Sequence, residues 1–182
     1  MKGINTVAIA CLLFFMGTLN GTSQSENNQI LSEVENPGQH EVFELVSKDK
    51  NLSTFAVLAV LSGLYNSQAD MDGYTLLIPT NDAFKDMTIE RFNELTDPKN
   101  KSELVKFIKY HTLPEKQMAM DFKDNMVITT DTSDEISVSK DQYDNVFIGG
   151  AKVIKANIEA SNGVVHVVNG VIDPNVSLAM VD

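Results

Sequence analysis

Tyr74–Phe84, reading Tyr-Thr-Leu-Leu-Ile-Pro-Thr-Asn-Asp-Ala-Phe, constrains the fold more than any other stretch. Thr75, Leu76, Leu77 and Ile78 are polar only at their start, the pattern of a strand buried on both faces. Pro79 has no N–H to give to a ladder, so pairing is expected to stop there. Thr80, Asn81 and Asp82 can each accept from nearby backbone N–H groups. Asn81 is the expected N-cap of a short helix carrying Ala83 and Phe84, with Asp82 in its first turn on the favourable side of the dipole. Phe84 is expected to fold back onto the strand. Every part of the stretch has a structural task, and none is a nucleophile with a base beside it.

The chain has 182 residues, enough for one domain with a real core. Its 43% hydrophobic and 21% charged residues place it among soluble globular proteins. A net charge of −11 argues against binding a nucleic-acid backbone or an anionic membrane surface through bulk electrostatics.

Residues 1–23 read as a signal peptide. Lys2 supplies the positive charge, Val7–Met16 the apolar run, and Gly17, Thr18, Gly21, Thr22 and Ser23 the small residues, with cleavage expected near Gly21–Gln24. The run is too short for a membrane span. The single cysteine, Cys11, lies inside it, and Ala8-Ile9-Ala10-Cys11 also admits reading as a lipid-attachment site. Cleavage downstream leaves a mature chain with no disulfide, which suits a bacterial exported protein. Residues 24–39 read as a polar linker, with Pro37-Gly38 near its end and room for one helical turn at Ile30–Val34. The domain is expected over 40–174, with a short tail at 175–182. Asn51-Leu52-Ser53, Asn100-Lys101-Ser102 and Asn175-Val176-Ser177 match glycosylation acceptors.

Within the domain, Val42, Leu45 and Val46 space a short opening helix. Ser53 or Thr54 is expected to cap a second, apolar almost all round from Phe55 to Leu61, with Val57, Val60, Leu61 and Leu64 as its deepest stripe. Asp70–Gly73 reads as a turn; it lacks the third acidic position and the terminal glutamate of a calcium loop. Thr88 is expected to cap a helix with Ile89, Phe92 and Leu95 on one face, ended by Asp97-Pro98. Asn100 and Glu103 suggest a capping box for a fourth helix, whose Leu104, Phe107, Ile108 and His111 fall at i, i+3, i+4 and i+7. After Pro114 the period changes to two. Val127–Thr129, Ile136–Ser139, Val146–Ile148, Val153–Ala156 and Val164–Ile172 read as strands, with Asp144-Asn145 and Gly149-Gly150 as turns. Helices first and strands last suggest an α+β fold on a mixed, twisted sheet.

Little here can carry catalysis. The three histidines, His40, His111 and His166, stand in no metal-ligand spacing, and no strand–nucleophile–helix elbow surrounds any serine. No metal, cofactor or catalytic residue is expected. The helical spacing alone accounts for His111 as the packed end of a core helix, and His166, between Val164 and Val168, is expected to meet a buried polar partner.

Leu-Leu-Ile-Pro-Thr-Asn-Asp-Ala-Phe resembles the first signature block of fasciclin-like domains. Tyr110-His111 stands where that family has its Tyr-His motif, and Asn162-Gly163-Val164-Val165-His166-Val167-Val168-Asn169-Gly170-Val171-Ile172 resembles its second block, closing near Pro174. The resemblance spans about Glu41 to Pro174. It implies a compact wedge of two sheets with helices along one flank, acting as an extracytoplasmic adhesion or interaction module rather than an enzyme. Pro79, Thr80, Asn81, Phe84, Asn162, Gly163, His166 and Pro174 would then be structural motif residues. Tyr110, His111, Asn81 and Asp82 would be the candidate contacts to a protein or glycan partner at a cell surface or matrix. An exported small-ligand binder with a pocket between helices and sheet is the alternative. Pro114 is followed by Glu115-Lys116 where the family has glycine, and no Arg-Gly-Asp occurs, so an integrin partner does not transfer.

Overall fold

The computed structural model describes residues 30–32, 34–64 and 73–173. The expected signal peptide with Cys11, the Asp70-Met71-Asp72 stretch, Pro174 and the 175–182 tail lie outside the described residues. Among the described residues, four α-helices and seven strands follow in chain order: α1 (Val42–Lys48), α2 (Ser53–Ser62), β1 (Tyr74–Pro79), α3 (Ile89–Thr96), α4 (Lys101–Tyr110), β2 (Thr112–Leu113), β3 (Met126–Thr129), β4 (Glu135–Lys140), β5 (Val146–Ile148), β6 (Ala151–Glu159) and β7 (Gly163–Val168). The fold is α+β. Short 3₁₀ turns occupy Lys50–Leu52, Asp82–Asp86 and Pro98–Asn100.

The strands form one mixed sheet in the order β2-β1-β7-β6-β5-β4-β3. At its centre β1 runs parallel to β7, from Tyr74 opposite Gly163 to Pro79 opposite Val168. Pro79 is the last residue of β1, as its missing N–H dictates. Every residue of β1 and β7 is buried, because both faces are covered. Leu76, Ile78, Val165 and Val167 face a cluster built with Leu45, Phe55, Leu58 and Ile108 of the helices. Leu77 and Val168 face a second cluster with Phe122, Ile136 and Ile148. The long strand β6 joins the two halves. Its first residues pair with β5, and from Val153 onward it pairs with β7, with register shifts between Val153 and Lys155 and between Lys155 and Ile158. The sheet curls until its ends approach, and the Asp131 N–H donates to Thr112 O at 2.8 Å. Gly149 and Gly150, both left-handed, make the tight β5–β6 turn.

Several expectations are overturned. The buried residues of α2 are Phe55, Leu58, Ala59 and Ser62, while Val57, Val60 and Leu61 are 57%, 59% and 51% exposed. An all-apolar helix carries no directional signal. Its rotation follows the bulk of Phe55 and the small Ala59 and Ser62, which let neighbours approach. Neither Ser53 nor Thr54 caps α2; the N-cap position is Leu52, which offers no side-chain bond. Asn100 makes no cap bond to α4 and instead donates to Glu94 O at 3.3 Å. Thr88 does cap α3, accepting from Arg91 N at 3.2 Å, but Ile89 points to solvent. Ile30 and Leu31, inside the expected linker, are buried in the helix-side cluster. There the Leu31 N–H meets the Asp49 carboxylate and the Lys155 ammonium meets Ile30 O. The two-residue β2 is too short to leave a periodic signal.

Candidate interaction site

Asn81 does not cap the turn that follows it, contrary to expectation. Thr80 takes that task, its Oγ1 accepting from Ala83 N at 3.3 Å. The Asn81 side chain reaches across to α2. Its Oδ1 accepts from Thr54 N at 2.9 Å, and its Nδ2 donates to Lys50 O at 2.7 Å and Ser53 Oγ at 3.1 Å. Asn81 thus satisfies an orphan N–H of the first turn of α2 from a segment 27 residues away. Asn162 does the same for α1, its Oδ1 accepting from Val42 N at 2.9 Å across 120 residues. The second block therefore anchors the first helix as the first block anchors the second helix. Gly163 follows because a Cβ there would lie 2.4 Å from Tyr74 O.

Two of the three histidines, His111 and His166, are staples of the same kind. His111 ends α4 and is fully buried. Its Nδ1–H donates to Phe107 O at 2.9 Å, and Nε2 accepts from Ile172 N at 3.3 Å, which defines the neutral tautomer. Its ring lies 4.6 Å from the Phe107 centroid and 5.4 Å from that of Phe55. Burial pushes the imidazole pKa down to about 4, against the opposing pull of the Phe107 carbonyl and Asp173. His111 also gives β1 its own carbonyl, which accepts from Leu77 N at 2.8 Å. His166 is also buried: Nε2–H donates to Gln117 O at 2.8 Å and Nδ1 accepts from Asn157 N at 3.3 Å. Burial lowers its pKa as well. Asn157 can turn its N–H inward because it sits in left-handed conformation inside the β6 irregularity, and its Oδ1 holds Ala119 N at 2.7 Å.

The four candidate contacts are not brought together at the surface. Tyr110 lies in the second core cluster, His111 is closed off, and Asn81 is committed to α2. Asp82 alone is exposed, paired with Lys85 at 2.6 Å. Phe84 packs near Phe107 with centroids 6.4 Å apart. Thr75 Oγ1 donates to Glu115 O at 2.7 Å and accepts from Gln117 N at 2.8 Å, so the departure after Pro114 is held down by β1. Sequence reasoning missed Arg91 and Asp173. The guanidinium forks onto the buried carboxylate at 2.8 and 3.2 Å and holds Glu94 at 2.7 Å. Such a pair leaves no local pattern across 82 residues.

Among the described residues no group of three or more His, Cys, Asp or Glu side chains is arranged to hold a metal. No described helix is long and apolar enough to cross a membrane.

Comparison with known proteins agrees with this geometry. A protein of Synechocystis sp., sll1483, is 29% identical over 150 residues, covering 82% of each chain. Human periostin is 30% identical over 158 residues, which are 85% of this chain and 18% of periostin. In fold the chain is similar to a domain pair from the insect cell adhesion molecule Fasciclin I, with a TM-score of 0.62 at 13% identity, covering 74% of this chain and 51% of that one. The model of the Fasciclin domain matches residues 50–174, from the turn before α2 to the residue after the Arg91–Asp173 fork, and the chain belongs to that family.

Proposed function

We propose that this chain is a non-enzymatic, exported interaction module that binds a protein or glycan partner at a cell surface or in a matrix. The observation that carries the reading is the state of the two motif histidines, His111 and His166. Both imidazoles are buried and use both ring nitrogens on backbone groups, so neither is free to act as a base, a ligand or a proton relay. The signature residues stabilise a scaffold, and recognition falls to the surface around it. Tyr110 and His111 serve that surface from beneath, by fixing the end of α4, and Asp82 stands at its edge. Membership of the family that includes a domain of an insect cell adhesion molecule supports the same reading. The leader at 1–23 directs export, and attachment through Cys11 is the variant of it that intact mass would reveal.

Titration of the purified chain against intact cells, matrix glycans and a small-molecule panel tests the proposal. Saturable binding to cells or matrix is expected. Binding to a small molecule alone would replace the module reading with that of an exported ligand carrier.

A further inference from the structure

The chain lays a short peptide of its own onto the scaffold. Ile30 and Leu31 lie in a turn, 3% and 7% exposed, against the helix-side cluster. The peptide unit between them is clamped at both ends. Its carbonyl, Ile30 O, accepts from the Lys155 ammonium on β6, and its N–H, on Leu31, donates to Asp49 Oδ2 just after α1. The clamping residues stand 125 and 18 positions from the turn they hold. Both are fixed by the scaffold. Asp49 is buried, and its other oxygen, Oδ1, accepts from Asn51 N at 2.8 Å at the start of the Lys50–Leu52 turn. Lys155 stands between the two register shifts of β6, opposite Val167 of β7. The turn, by contrast, does not hold itself. Leu31 has φ 54°, in the left-handed region that a leucine rarely adopts. Between the turn and α1, Glu35, Asn36, Gly38 and Gln39 are exposed.

A carboxylate and an ammonium that take the N–H and the C=O of one peptide unit read backbone, whatever the sequence. The apolar surface under Ile30 and Leu31 then selects aliphatic side chains. Without an occupant, a buried carboxylate oxygen and an ammonium would lose their partners and the apolar surface would face water. The groove therefore demands a peptide. We propose that this groove, between the end of α1 and β6, is a docking site for a turn of a protein partner that carries two adjacent aliphatic residues. Ile30 and Leu31 fill it from within the same chain and act as an internal competitor. The proposal names the partner class of the interaction module and rests on that reading.

Titration of the full chain with a labelled synthetic peptide of its own sequence from Asn28 to Glu35, followed by fluorescence polarisation, tests it. Ile30→Ser with Leu31→Ser empties the groove and leaves Asp49 and Lys155 in place. This double variant should keep the parent's circular dichroism and bind the peptide saturably. The parent should bind it about tenfold or more weakly, because a short tether holds its own turn at an effective concentration of about millimolar. A peptide N-methylated at the residue matching Leu31 lacks the N–H that Asp49 takes, and should bind the double variant about tenfold or more weakly than the unmodified peptide. Millimolar peptide should also speed hydrogen exchange at the Leu31 amide of the parent, since a displaced turn loses its protection. That measurement needs no substitution and decides the matter if the double variant fails to fold. A folded double variant that ignores the peptide, a parent that binds it equally well, an N-methylated peptide that binds undiminished, or Leu31 exchange unmoved by peptide would each overturn the proposal. Cell binding by the parent that persists beside such a result would remove the groove and leave the module reading standing.

Discussion

Replacing His111 by alanine separates a structural staple from a surface contact. The substitution removes two hydrogen bonds, to Phe107 O and from Ile172 N, and strands both buried backbone groups. Each stranded group costs about 1–3 kcal/mol. The ring also loses two aromatic neighbours, Phe107 and Phe55, worth about 0.5–1.5 kcal/mol apiece. Allowing for a water that re-satisfies one backbone group, the loss is about 3–5 kcal/mol. That is a large part of the total stability of an ordinary domain, about 5–15 kcal/mol. In a domain of this size it corresponds to a fall in Tm of about 10–20 °C. Paired thermal melts and cell-binding curves for the parent and His111→Ala provide the check, with binding measured well below the variant's own melt. Binding should then survive in proportion to the folded fraction. An unshifted melt with abolished binding would refute the staple and make His111 a recognition residue.

The same burial has a pH signature. The His111 pKa falls to about 4 in the folded chain against about 6.5 unfolded, so between those values the unfolded state binds the extra proton. The stability that rests on the neutral ring is complete above pH 6.5 and declines as pH drops towards 4, by at most about 1.4 kcal/mol per pH unit for this group. His166 adds to the loss in the same direction, and urea midpoints across this range should show it. Asn81→Ala should cost about 1–2 kcal/mol, the loss of a helix cap, and should speed hydrogen exchange at the Thr54 amide before other α2 amides. Gly163→Ala, whose Cβ would sit 2.4 Å from Tyr74 O, should destabilise by about 1–3 kcal/mol or more, whereas Gly38→Ala, with nothing within 4 Å, should leave the denaturation midpoint nearly unmoved.

The strands were readable wherever burial alternates along them. Ile136 and Val138 point inward between exposed neighbours on β4, and β1 announces itself by having no alternation at all, whereas β7, expected to alternate from Val164 to Ile172, is buried throughout and ends at Val168. Local signals also placed Thr88, Pro79 and the Gly149-Gly150 turn. What stayed hidden depends on contacts between distant parts of the chain. The residue types of Asn81 and Asn162 reveal that each can cap a helix, but which helix is decided only when β1 and β7 bring those ends beside α2 and α1. The rotation of α2 is likewise a property of what packs on it, since every side of the helix is apolar. For the candidate site, the His111 register foretold burial, whereas its second partner, Ile172 N, lies 61 residues on and carries no pattern.

The clamp on residues 172 and 173 gives the scaffold a mechanical character. Tension applied through the chain beyond Asp173 reaches the Arg91 fork first and then the Ile172–His111 bond, both anchored in helices rather than in the sheet. Only after both yield does load pass to β7, which is bonded to β1 on one side and β6 on the other. A pull along that strand shears two ladders at once instead of peeling bonds singly. A tethered module held by that end would therefore keep its shape under drag until a buried ion pair gives way.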